Sequence, residues 1–332
     1  MHSREDFVRI LLCAALLIGC SSGADSSLRV VRVARSSFLT NAAVVVGEGS
    51  GEFAREGIRL QYVDQPNTSV QALPGLARGD VDVVASVVST GLINAIGGGA
   101  DLRIVADRGH LAREGCESFG VVGRRSLFGD SAVNEKLLRG RRVSANPVGQ
   151  SGYLTALFLA KHGLRITDVK IVRLPATSER QALDAGGLDI SSRNDPFFYQ
   201  MMQGGHRLLA GGNELAPGAH IALLVFGPNL LQKDRELGMR FMRAYLRGVR
   251  RYAEGKTGSN MKYISTGLKF DTADLRKMCW PPTHLDGAVN LQSLTDFQSW
   301  AVQSGHLVRV VEPKSLVDLH FVQAATQTLA KE

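Results

Sequence analysis

The chain lacks the features that mark several large classes of protein. Beyond its first twenty residues, nothing in its 332 residues approaches the ~18-residue apolar run needed to span a bilayer. A mean hydropathy of −0.01 leaves no room for a polytopic membrane protein. Aromatic residues are scarce, at 6%, and none is interleaved with the short basic clusters Arg124-Arg125, Arg139 to Arg142 and Arg247 to Arg251. The net charge of +8 therefore does not mark a nucleic-acid surface. It suits a protein that faces anionic lipid or carries a small anionic solute.

Catalytic patterns are missing as well. Eight histidines are dispersed along the chain, none in HExxH, and no pair among the four cysteines has zinc-finger spacing. His110, Glu114 and Cys116 lie close in sequence but read as a solvated loop, so no metal is expected. Gly47-Glu48-Gly49-Ser50-Gly51 is not GxGxxG and reads as a break between helices. Ser151 lacks the flanking glycines of a nucleophile elbow. No enzyme activity and no cofactor are expected.

What is present is an ordinary globular composition, 44% hydrophobic and 21% charged, long enough for two domains. Residues 10 to 19 form an apolar stretch ending in Leu17-Ile18-Gly19-Cys20, which resembles a bacterial lipobox, although Glu5 and Asp6 offset Arg4 and Arg9. The expectation is a signal peptide over 1–19 and a lipidated Cys20 with a Ser/Gly tether over 20–30. Cys13 would leave with the signal. Cys116 and Cys279 would then sit in a disulfide-permissive compartment, where one bridge is possible.

The mature chain alternates short apolar strands with helices, which predicts an α/β fold with largely parallel sheets. Strands are expected at 28–34, 58–63, 81–85, 102–106, 141–145, 169–174, 188–191 and 221–226. Long helical patterns cover 234–253, 294–303 and 315–329. Three strand-to-helix turns, at Arg35 to Phe38, Ser86 to Thr90 and Asn146 to Gly152, are rich in small hydroxyl and amide residues. Such turns lie at the carboxyl ends of strands, where ligands collect and helix N-termini favour anions. The same serines and threonines also serve as ordinary N-caps. Asp195, in Asn194-Asp195-Pro196-Phe197, is either a cap or a cleft residue. Phe38, Phe119, Tyr153 and Phe197 are candidates for cleft walls.

Several segments resemble a known family in order along the chain. They are Ala77-Arg78-Gly79-Asp80-Val81-Asp82, Gly99-Ala100-Asp101-Leu102, Leu138 to Val143, Gly149 to Leu154, Asp195-Pro196-Phe197, Phe241 to Arg251 and Val317 to Val322. They are similar to the NMT1/THI5-like, or SsuA-like, substrate-binding proteins of nitrate, sulfonate, taurine and thiamine-precursor ABC importers. The resemblance implies a type II periplasmic-binding-protein fold, with two α/β lobes joined by a two-strand hinge near 119–121 and 222–224. Lobe 1 would comprise 31–118 and 225–332, and lobe 2 would comprise 119–224. It further implies a solute shell of Ser36, Ser37, Phe38, Ser86, Ser89, Thr90, Gln150, Ser151, Gly152, Asn194 and Asp195, with no Arg or Lys of its own. Asp195 replaces the family's usual Glu and is one methylene shorter. The expected protein is a lipid-anchored monomer on the periplasmic or cell-surface side that hands a small solute to ABC permease subunits. The alternatives are a thiamine-pyrimidine-precursor binding protein, a THI5-like synthase, which here lacks the cysteine-rich motif, and a sensory lipoprotein without a transporter.

Overall fold

The computed structural model describes residues 28–35, 37–64 and 69–332. The signal segment, Cys20, most of the tether and Ser36 lie outside the described residues. Among the described residues, ten strands build two five-stranded sheets. The first contains β1 (Arg29–Ala34), β2 (Ile58–Val63), β3 (Val83–Val87), β4 (Arg103–Asp107) and β10 (Ala222–Phe226), in the order β2-β1-β3-β10-β4. The second contains β5 (Phe119–Gly123), β6 (Arg142–Ser144), β7 (Lys170–Val172), β8 (Ile190–Asn194) and β9 (Arg207–Gly211), in the order β7-β6-β8-β5-β9.

The sheets are not simply parallel. β1, β2 and β3 run together, as do β6, β7 and β8, but β10 is antiparallel to β3 and β4, and β5 to β8 and β9. The two reversed strands are the ones the chain forms after changing sheets. It leaves the first sheet at the carboxyl end of β4 and enters the second from the edge where β6 and β8 end, so β5 must run against them. The return from β9 to β10 repeats this geometry. The segments between the sheets, 108–118 and 212–221, pair through an antiparallel bridge between His110 and His220. Residues 222–224, expected in the second lobe, therefore belong to the first sheet, and 119–121 form the first strand of the second.

Helices cover both faces of the first sheet. Arg235–Ala253 buries Leu237, Phe241, Tyr245, Val249 and Tyr252, one stripe at helical spacing, against the Ala42–Gly49 and His320–Leu329 helices. Gly248 lets two helices touch, because a Cβ there would lie 2.5 Å from the Ala43 carbonyl. The Leu291–Gln303 helix packs on the opposite face through Leu294, Phe297 and Ala301. The helix expected over 315–329 is broken into Pro313–Leu316 and His320–Leu329. Val317 pairs with Ile104 instead, and the Asp318 amide donates to the Ile104 carbonyl at 2.9 Å. Among the described residues no helix is long and apolar enough to cross a membrane.

The basic clusters are drawn into ion pairs. Arg243 and Arg247 converge on Glu56, and Arg247 also reaches Glu332. Arg124 and Arg142 share Asp189, and Arg139 is held between Glu135 and Asp168.

Candidate functional site between the lobes

The carboxyl ends of β1, β3, β6 and β8 face one another across the boundary between the sheets. The turns after β3 and β6 meet directly. Thr90 donates its amide to the Val148 carbonyl at 3.0 Å, and Gln150 donates to Val88 at 3.1 Å, making a bridge between Ser89 and Gly149. The structure thus brings the turns that carry Ser89, Thr90 and Gln150 together, backbone to backbone through the Val148 and Val88 carbonyls. The side chains of Ser89 and Gln150, like those of the nearby Ser86 and Ser151, have structural partners. Ser89 Oγ caps the Thr90–Gly97 helix by accepting from the Leu92 amide at 3.3 Å. The buried Gln150 amide donates to the His220 carbonyl. Ser86 Oγ donates to the Val87 carbonyl at 3.1 Å, and Ser151 Oγ accepts from the Asn146 amide at 2.9 Å. Gly152 is required at its position, since a Cβ would stand 2.4 Å from the Asn146 carbonyl.

A second group forms around Asp195. Phe38, after β1, meets Phe197 of the second lobe edge to face at 5.8 Å, while Ser37 beside it is exposed. Asn194 ends β8 opposite Phe119, and Phe119 itself is core. The Asp195–Pro196 peptide is cis. The Asp195 amide donates to the Ser118 carbonyl at 3.0 Å, and its Oδ1 accepts from the Tyr199 amide at 2.9 Å. Oδ1 thus holds the first turn of the Phe197–Gln203 helix, while Oδ2 is buried without a hydrogen-bond partner. Burial pushes this carboxyl up to about 7, against the pull of the Tyr199 amide and the charge of Lys256. Tyr199 adds a second link between lobes, donating its hydroxyl to Asp274 at 3.0 Å. Tyr153 packs against Phe297 and Trp300 of the first lobe.

The residues that sequence reasoning missed cluster at the end of β4. Asp107 is fully buried and accepts four N–H donors: the Gly109 amide at 3.0 Å, His220 Nδ1 at 3.0 Å, His110 Nδ1 at 2.8 Å and the His284 amide at 2.9 Å. His220 Nε2 accepts from the Asn290 amide at 2.8 Å, which fixes the proton on Nδ1. Burial pushes the Asp107 carboxyl up, but the bonds from His110 and His220 outweigh it and hold it well below the usual range. His110 does not belong to a solvated loop with Glu114 and Cys116: it joins this cluster, and Cys116 is bridged to Cys279, Cα to Cα 5.6 Å.

Asp107, His110 and His284 bring metal-type ligand atoms within 4.8 Å of one another. Both Asp107 oxygens are already taken, which leaves two imidazoles stacked at 4.2 Å beside a cavity of about 510 Å³ that Arg113 also lines. Filled carboxylate oxygens and a nearby cation oppose metal binding there.

Arg108 follows directly. It is 2% exposed and reaches from β4 to the segment after β1. Burial pushes its guanidinium down to about 10, outweighing the fields of Tyr245 and Asp107. Like the other turns, Arg108 lies just past the carboxyl end of a strand in an α/β sheet.

Two α/β lobes, crossed twice and touching through the turns at their strand ends, define the class of two-lobed binding folds. The model of the family described as NMT1/THI5 like matches residues 40–255, and the chain belongs to that family. No curated protein sequence matches it. Among solved structures, it is similar to the ligand-binding component of an ABC-type import system from Staphylococcus aureus with zinc bound. That match is 13% identical, covers 90% of this chain and 99% of that chain, and has a TM-score of 0.75. The periplasmic nitrate-binding protein NrtA from Synechocystis PCC 6803 is 12% identical, with 92% and 90% covered and a TM-score of 0.72. The periplasmic aliphatic sulphonate-binding protein SsuA from Escherichia coli is 17% identical, with 87% and 92% covered and a TM-score of 0.67. The fold is that of the periplasmic binding proteins.

Proposed function

We propose that the protein is the extracytoplasmic solute-binding component of an ABC importer and not an enzyme. It clamps a small anionic or zwitterionic organic solute of the sulfonate, taurine or nitrate kind between its lobes. The observation that carries this reading is the Asp195 carboxyl, 2% exposed, with one oxygen unpartnered, beside an aromatic contact between the two lobes. A buried acid left half-satisfied at a lobe boundary keeps capacity for one more hydrogen bond: raised to about 7, it accepts from the ammonium of a zwitterion or, protonated, donates to an oxyanion. The family and the nitrate- and sulphonate-binding neighbours support a small anion as cargo.

On this reading, the shell comprises Phe38 and Asp195 with the turns bearing Ser36, Ser37, Ser86, Ser89, Thr90, Asn194 and Gln150 to Gly152. Solute bridging the lobes shifts an open–closed equilibrium towards the closed form, which docks on the permease. Cleavage before Cys20 and lipidation of its thiol would hold the monomer beside the membrane. Isothermal titration against ethanesulfonate, taurine, nitrate and a pyrimidine amine tests the assignment. Micromolar binding of one of the anions or zwitterions is expected; absence of heat and of thermal shift with all four refutes it.

A further inference from the structure

We infer that Arg108 and the N-terminal end of the Ala42–Gly49 helix form the anion-recognising half of the solute site, taking the oxyanion head of the solute. The inference rests on the solute-binding reading and adds to its shell the one cation that the sequence left out.

The buried guanidinium carries the argument. Nη1 donates to Asn41 Oδ1 at 2.9 Å and Nη2 to Thr40 Oγ1 at 3.0 Å, and both acceptors are neutral. Nε is buried with no hydrogen-bond partner. Among the described residues no carboxylate forms an ion pair with Arg108; the adjacent Asp107 spends its oxygens on four other donors. A guanidinium offers five N–H donors in a planar fork, and burying one without an anion is costly unless a ligand completes it.

The helix supplies the second half. Thr40 and Asn41 lie in the 3-10 turn Leu39–Asn41, which begins after Phe38 and runs directly into the eight-residue Ala42–Gly49 helix, the Ala42 amide donating to the Leu39 carbonyl. No side chain caps either the turn or the helix, and the Asn41 side-chain oxygen accepts from Arg108. The positive end of a helix and a buried guanidinium therefore meet at one point, an arrangement that selects oxyanions. That point lies two residues beyond Phe38, whose ring contacts Phe197 across the lobe boundary beside Asp195.

The test is titration of wild type, Arg108→Gln and Arg108→Lys with ethanesulfonate, taurine, nitrate and ethylamine. Each ligand-induced rise in Tm is read against that variant's own unliganded Tm, so a general loss of stability does not enter. Expected is an anion affinity lowered on the order of 100-fold in Arg108→Gln and by less in Arg108→Lys. Equal anion binding by wild type and Arg108→Gln overturns the role of Arg108 and leaves the solute-binding reading standing. Binding of ethylamine alone overturns an oxyanion site here while a clamp for cations survives. Binding of none of the four overturns both.

Discussion

Asp107 Oδ1 and His220 Nδ1 stand 3.0 Å apart, tying the end of the strand that leaves the first lobe to the segment that returns to it. His110 approaches the other oxygen of the same carboxylate at 2.8 Å, so one buried charge holds both crossings. Asp107→Asn would set an amide N–H against N–H donors that now find an oxygen. A loss of about 2–4 kcal/mol at neutral pH is expected from chemical denaturation. Because the folded carboxyl is held below its ordinary value, its stabilisation is complete above about pH 4 and is lost as pH falls below that. The gap between wild type and variant should therefore narrow at pH 3; a constant gap would refute the electrostatic account.

Asp195 has the opposite sign. Its folded value of about 7 lies above the ordinary carboxylate value, so the fold prefers the protonated acid. Its contribution is most favourable below about pH 4, declines as pH rises towards 7, and is constant beyond. Asp195→Asn mimics the protonated form. The variant should match wild type in stability at pH 4 and exceed it by about 2–4 kcal/mol at pH 8. The same change should weaken solute binding, trading function for stability. Melting curves at the two pH values decide the first point and titration the second.

The Cys116–Cys279 bridge ties the first crossing to a segment 163 residues later. In the double variant Cys116→Ser/Cys279→Ser, or in wild type under reductant, stability should fall by roughly 3–5 kcal/mol. Unchanged denaturation midpoints with and without dithiothreitol would contradict this.

Gly152→Ala places a methyl 2.4 Å from the Asn146 carbonyl, in the turn that meets Ser89. A cost of about 1–3 kcal/mol is expected, together with weaker solute binding as the turn shifts. Gly258→Ala, with open space around it, is the control and should melt like wild type.

Much of the local structure was legible. Ile58–Val63 alternates buried and exposed residues and forms the strand its pattern predicts. The break at Gly51 divides the helical stretch over 41–56 into two pieces, as its glycines foretell. β9 forms where the pattern predicts no strand, and the pattern does not fix the direction of β5 and β10, because direction follows from which edge the chain enters after leaving the other sheet. The candidate site was legible in part. The turns at Ser86 to Thr90 and Asn146 to Gly152 do face each other, yet Ser89 and Ser151 satisfy local amides, a choice that composition does not reveal.

The sequence by itself determined most of the succession of strands and helices, the glycines that end them, and the family to which that succession belongs, because these depend on residues within a few positions of one another. Only the tertiary structure decided which polar groups lose water together. Arg108 finds Thr40 and Asn41 across 67 or 68 residues, and Asp107 meets His220 across 113. Whether a buried charge is satisfied, as in Asp107, or left with an unpartnered atom, as in Arg108 and Asp195, depends on partners that only folding brings within hydrogen-bond reach.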